Sequence, residues 1–369
     1  MKTVDFGLGT QYDEGTQTAV AINAGKTVLE VHKSQNEDTL WCHVGSLGRA
    51  TVNWGPSVRY DDGVTPAVAL NGGGKAVEVH RSQNDDALWY HVGTVSGGAV
   101  AWGKSHKYDQ GRSPAVALND AGVAVEVHKS QNEDTLWCHV GTLSGDEVKW
   151  GSSHKYDSGL SPSVALNGRG QVVEVHQSQN EDTLWYRVGT VSGSEVKWGP
   201  SRRYDDGVQP AVALTDEGLV VEAHRSQSTT GLWSRSGVVE GDSIRWSGSV
   251  QYDTGTSVSV GCSGLWAVQT HQSESASTLW YTAALLVDRA RWMSDRRDAL
   301  AARTLRDIAF PGSHDAGMYE YVSTELSPAA AEKSLESDIT GVFEEMGEDI
   351  AGAAEDVGEG VTDAAEEVA

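Results

Sequence analysis

The sequence predicts an all-β protein, a propeller of six four-stranded blades, and three observations predict it. Tyr-Asp pairs recur at Tyr12, Tyr60, Tyr108, Tyr156, Tyr204 and Tyr252, each interval being 48 residues. Two tryptophan series keep nearly that period: Trp41, Trp89, Trp137, Trp185, Trp233, Trp280 and Trp54, Trp102, Trp150, Trp198, Trp246, Trp292. Together they hold 12 of the 13 tryptophans, which chance cannot arrange. Finally, no copy contains a helix-period segment, and a period of 48 exceeds that of paired-helix repeats and falls in the propeller range.

The second copy shows each element in order. Pro66-Ala67-Val68-Ala69-Leu70 is a short apolar run, and Asn71-Gly72-Gly73-Gly74 turns the chain. Ala76-Val77-Glu78-Val79-His80 alternates, and Ser82-Gln83-Asn84-Asp85-Asp86 turns it again. Leu88-Trp89-Tyr90-His91-Val92 is a third β-rich run; Val100-Ala101-Trp102-Gly103 begins a fourth, closed by Tyr108-Asp109. Blades pack face to face, so flat rings at fixed points fill the gaps between adjacent sheets. Before the first copy, Val4-Asp5-Phe6-Gly7 matches Val52-Asn53-Trp54-Gly55 at the same offset. This N-terminal strand is expected to close the ring beside the last blade and remove an open edge.

Charge limits the function. The chain of 369 residues carries 28 Lys+Arg against 52 Asp+Glu, a formal charge of -24, which excludes the basic surface that nucleic-acid binding needs. No apolar run approaches the roughly 18 residues of a membrane helix. Met1-Lys2-Thr3-Val4-Asp5 carries an acid where a signal peptide needs an apolar stretch. Cytoplasmic synthesis is expected, with any release by a non-classical route. Cys42 and Cys138 hold equivalent positions where other copies have Tyr90 and Tyr186, so they lie too far apart for a disulfide; with Cys262 the count is odd.

The repeat also supplies what sugar recognition requires. Tryptophan and tyrosine faces stack on the C–H face of a pyranose, while Ser, Gln, Asn and His pair its hydroxyls. The candidate binding set is His32, Gln35, Asn36 and Trp41; His80, Gln83, Asn84 and Trp89; His128, Gln131, Asn132 and Trp137; His176, Gln179, Asn180 and Trp185. The pair Glu78 and His80, on one strand face, suits a buried interblade hydrogen-bond network equally well. The fifth and sixth copies have Ser228-Thr229-Thr230 and Ser275-Ala276-Ser277 in place of Asn-acid-Asp, so about four sites are expected intact. Those triplets lack the spacing of a calcium loop, and neither metal nor cofactor is expected.

The string Glu126-Val127-His128-Lys129-Ser130-Gln131-Asn132, followed by Leu136-Trp137, Trp150-Gly151, Tyr156-Asp157 and Ser161-Pro162-Ser163-Val164-Ala165, resembles the PLL-like bacterial β-propeller lectins across residues 4–292. The resemblance implies binding of fucose and related sugars between blades. That family has seven blades where six copies are counted here, so a seven-bladed ring is the alternative. Repeated sites on one ring imply multivalent glycan binding without catalysis.

Beyond the repeat, Ile308-Ala309-Phe310-Pro311-Gly312-Ser313-His314-Asp315 resembles the opening of the phosphatidylinositol-specific phospholipase C catalytic domain. The resemblance implies a catalytic role for His314, with Asp315 beside it. No second histidine follows and too little chain remains for the barrel, so a truncated, inactive start is expected. Residues 325–369 carry 14 acids and one base, with apolar residues at helical spacing interrupted by glycines. An acidic tail, helical or disordered, is expected there, with a protein partner as its candidate ligand. The predicted organisation is therefore 1–292 propeller, 293–324 phospholipase-like start and 325–369 tail. A phosphodiesterase targeted by its propeller and a protein-interaction scaffold are the rival functions.

Overall fold

The computed structural model describes residues 2–4, 6–48 and 51–288. The expectations for Trp292, His314, Asp315 and the acidic tail lie outside the described residues.

The repeat folds into six antiparallel sheets, one per blade, as expected; the seven-bladed alternative is overturned by this count. Blade two shows the pattern. Val64–Leu70 lies innermost, Lys75–Arg81 and Ala87–Ser96 follow, and the outermost position is shared by two short strands. Ala99–Trp102 pairs with residues 93–96, and His106–Gln110 pairs with residues 87–90 of the same long strand. The fourth strand is thus broken at Gly103-Lys104-Ser105, whose first residue returns its N–H to Val92 O. Blade one spans 16–62, blade two 64–110, blade three 112–158, blade four 160–206 and blade five 208–254.

The sixth blade is a composite. Its three inner strands are Thr256–Ser263, Trp266–Gln272 and Thr278–Leu285, and its outer strand is Thr10–Glu14, from the other end of the chain. The N-terminus therefore closes the ring, but the paired strand lies beyond the predicted Val4–Gly7. Val4 and Phe6 instead fill the place that Val52 and Trp54 occupy in blade one, buried with Leu232, Tyr252 and Leu286. Phe6 packs on Tyr252 with centroids 5.3 Å apart, as Trp54 packs on Tyr12 at 4.9 Å. Phe6 thus holds, in the last interface, the place that the second tryptophan series takes in the others.

Alternation explains the packing. At one repeated position in each blade a leucine sits at zero exposure, namely Leu40, Leu88, Leu136, Leu184, Leu232 and Leu279. Removing such a side chain typically costs about 2–5 kcal/mol. The innermost strands meet one another around the axis. The second residue of each has positive φ (Gln17, Thr65, Ser113, Ser161, Gln209, Ser257, all near 50°), with a register shift there against the next strand. Proline follows in four copies, at Pro66, Pro114, Pro162 and Pro210, where the bulge removes the need for its missing N–H.

Candidate functional site

The four histidines of the predicted sugar set lie inside the protein. His32, His80, His128 and His176 are each 2% exposed. Each ring places Nδ1 about 3 Å from a fully buried carboxylate two residues earlier, as His128 does toward Glu126 at 3.1 Å. Tyr108, from the preceding blade, donates its hydroxyl to Glu126 at 2.9 Å. This is the buried interblade network, and it removes the histidines from contact with a ligand in solvent. The close approach needs glycine: a Cβ on Gly111 would stand 2.5 Å from His128 Cδ2 and 2.7 Å from Lys129 O.

The turn residues stay outside. Gln35, Asn36, Gln83, Asn84, Asn132, Gln179 and Asn180 are exposed and Gln131 is half-buried. Trp41, Trp89, Trp137 and Trp185 are half-buried, each directly across the strand pair from its histidine. The indoles of Trp41, Trp137 and Trp185 donate to a threonine hydroxyl two residues earlier at 3.1 Å. Turn and tryptophan flank the same strand end, yet no direct contact joins them among the described hydrogen bonds.

A second feature crosses five of the six blade boundaries. Asp13, on the strand added to blade six, accepts from His43 Nε2 of blade one at 2.7 Å, and His43 Nδ1 lies 2.8 Å from Gly55 O. Asp61–His91 and Asp109–His139 repeat this geometry. The ligand atoms of Asp13, His32 and His43 fall within 4.8 Å of one another, as do those of Asp61, His80, His91 and of Asp109, His128, His139, a spacing that a metal ion could bridge. Two facts favour an ion pair. Both nitrogens of His43 already face acceptors, and in blade four Arg187 takes the same place, with Nε 2.6 Å from Asp157 and a terminal nitrogen 2.9 Å from Gly199 O. Arginine ligates no metal but does supply two donors.

On the other face of blade three the outer strands leave a lateral cleft against blade four. It encloses a cavity of ≈ 300 Å³, lined by Cys138, Val140, His154, Lys155, Tyr156, Ser194, Glu195, Val196 and Trp198. Tyr156 and Trp198 stack there at 5.0 Å. His154 Nε2 stands 3.6 Å from Glu195 at the rim, both side chains more than half exposed. Burial pushes the Cys138 thiol well above its ordinary value, with the charges of Glu126 and Glu174 adding to the effect, so the floor is a neutral sulfur. The sequence carried this signal in the cysteine that replaces tyrosine, but a single position in a strand does not reveal that it faces a gap.

A second cavity of ≈ 250 Å³ lies at one mouth of the axis, ringed by the bulge residues Gln17, Thr65, Ser113, Ser161, Gln209 and Ser257 with their neighbours. No titratable side chain lines it. Glycoside cleavage needs two carboxyl groups across the scissile bond, and this mouth offers none. The lateral cavity offers one, Glu195.

Comparison with known proteins defines the class by fold. No protein-family model and no curated protein sequence matches the chain. Among solved structures, an α-L-arabinanase of Penicillium chrysogenum is similar at a TM-score of 0.55 and 11% identity, over 76% of this chain and 99% of its own. The Aleuria aurantia lectin in complex with Fucα1-6GlcNAc is similar at 0.55 and 15% identity, over 73% and 93%. Another structure of that lectin, at 0.51 and 13%, is described as a six-bladed β-propeller with a novel fucose recognition mode. These likenesses place the chain among six-bladed propellers.

Proposed function

We propose that the protein binds carbohydrate, without catalysis, through clefts between its blades. The observation that carries this reading is the cavity between blades three and four. Its volume of ≈ 300 Å³ suits one monosaccharide. A stacked Tyr156–Trp198 pair supplies an aromatic wall, and His154, Lys155, Ser194 and Glu195 supply donors and acceptors at the rim. The resemblance of the repeat to PLL-like lectins, and the fucose named for the Aleuria lectin, support fucose-type sugars as the first ligands to try. The absence of a carboxylate pair in either described cavity speaks against the hydrolysis named for the arabinanase.

The test is a glycan array of the purified chain with free methyl α-L-fucoside as competitor, followed by Trp198→Ala. Selective, competable binding that falls at least tenfold in the variant is the expected result. A folded protein that binds no glycan at millimolar concentration would overturn the reading.

A further inference from the structure

Six interfaces join the blades, and one strand position decides whether each is filled. That position is Cys42, Tyr90, Cys138, Tyr186, Ser234 and Tyr281 in chain order, so small and large residues alternate around the ring. Each tyrosine crosses to the next blade in the same way. Tyr90 stands edge-on to Trp150 at 5.9 Å, Tyr186 to Trp246 at 5.7 Å and Tyr281 to Trp54 at 5.5 Å. Their hydroxyls accept from the backbone N–H of Val148 at 3.3 Å, Ile244 at 3.2 Å and Val52 at 3.2 Å. A six-membered ring bearing a hydroxyl thus sits against a tryptophan and meets an outer-strand amide.

In the other three interfaces that ring is missing. Val100 and Val196 hold the same register as Val148, each opposite the residue five before it, so their N–H groups point toward the preceding blade as that of Val148 does, and at Val196 a cavity lies there. Cys42 and Cys138 stand where the tyrosines would meet them, and no described side chain accepts from either amide. A backbone N–H without a partner is costly to bury, so water or a ligand must serve it. Beside two of the small residues stand the exposed apolar side chains Val58 (52%) and Val250 (46%), which no ring covers; at the corresponding position of blade two, His106 stacks on Tyr90 at 5.4 Å. The third small residue, Ser234, differs in kind. There Ser236 already accepts from Val4 N–H at 2.7 Å, and Phe6 replaces the tryptophan.

We propose that the interfaces between blades one and two and between blades three and four are the two monosaccharide sites of the chain. In each, a pyranose takes the place that tyrosine fills elsewhere. The proposal rests on the carbohydrate reading and sharpens it. The sugar ring packs on Trp102 or Trp198, and one of its hydroxyls accepts from Val100 or Val196 N–H. The two sites are unequal. Ser194, Glu195 and His154 rim the second, whereas Gly98, Ala99 and Val58 hold the same places in the first. The polar-rimmed site therefore binds more tightly.

Titration with methyl α-L-fucoside, then with the methyl glycosides of galactose, mannose and glucose, is read by native mass spectrometry and by the tryptophan Nε1–H signals in NMR. Two sugars per chain are expected, with shifts confined to Trp102 and Trp198. Cys138→Tyr should remove the tighter site and Cys42→Tyr the weaker. Both insert the residue that three other blades already carry, so folding is retained. Cys138→Ser, which copies Ser234, should keep binding within about threefold. Four or more sugars per chain, or a double Cys→Tyr variant that binds as before, would overturn the assignment while leaving the carbohydrate reading intact. No binding by the unmodified chain to any glycoside would overturn both.

Discussion

Glu126 has no exposed surface, and the groups around it explain how the fold tolerates a buried acid. The ring of His128 and the hydroxyl of Tyr108 both meet its carboxylate, from within the blade and from across the boundary. Truncating one partner of such a cluster leaves the rest uncompensated, so Glu126→Ala should lower stability by about 3–5 kcal/mol in urea denaturation. The sixth copy is a natural comparison. Gln269 stands in the acid's place, Tyr252 keeps a buried hydroxyl without a partner, and burial pushes His271 down to about 4, the opposing charge of Asp253 notwithstanding. A histidine held neutral in the folded state must charge as pH falls from 6.5 toward that value, and stability is lost over that window. Gln269→Glu should move the His271 titration upward by NMR and recover part of the stability lost between pH 6 and 4. An unchanged titration would show that burial alone governs this imidazole.

Strands carry one chemistry across five of the six blade boundaries, and here histidine and arginine do one job. His43, His91 and His139 satisfy both a carboxylate and a carbonyl only when both ring nitrogens carry protons. Burial opposes that charge, but the hydrogen bond His43 donates to Asp13 and the field of Glu30 outweigh it and hold His43 above its ordinary 6.5. His91 and His139 are raised in the same way, by Asp61 with Glu78 and by Asp109 with Glu126. On the acid side, burial raises Asp13 and the His43 hydrogen bond lowers it, with a net value of about 2. Raised histidines stabilise fully below 6.5 and lose that contribution as pH rises through their folded values. The depressed Asp13 contributes above 3.8 and loses it as pH falls toward about 2. The melting temperature should therefore fall as pH rises above 6.5 and through the raised values of these histidines. Replacing the three histidines by arginine, on the pattern of Arg187, should flatten that fall. An identical slope in the triple variant would place the alkaline loss elsewhere.

For the whole molecule, the decisive contact is closure. Thr10–Glu14 pairs with Thr278–Leu285 and leaves blade six without a free outer edge on that stretch. The same strand delivers Tyr12 to Trp54 and Asp13 to His43, so it also builds the first interface of the ring. Deleting residues 1–14 should expose the edge and unpair that interface. The expected result is oligomers in size-exclusion chromatography and a melting temperature lowered by several degrees, since an open strand edge templates pairing with other chains. A monomer of unchanged stability would mean that five blades and a partial sixth suffice.

The repeat itself was fully legible, because a blade is a local object. Periodic tryptophans, alternating apolar residues and glycine-rich turns act within 48 residues, and the sequence repeats that instruction six times. Reduced cysteines and the Glu–His network could also be read, since both follow from equivalent positions in the repeat. The candidate site could not. The Tyr-Asp pair closes its own copy, as the sequence shows, but the structure sets Tyr60 of blade one against Trp102 of blade two, so the interface draws its walls from two blades. His32 and Trp41 share a pattern suited to sugar, and burial alone separated them. Cys138 read only as a cysteine too far from its equivalent for a disulfide, until the neighbouring sheet showed that it faces a gap. Local propensity and alternation determined the blades; which faces meet, and what space is left between them, is a property of the closed ring and was decided there.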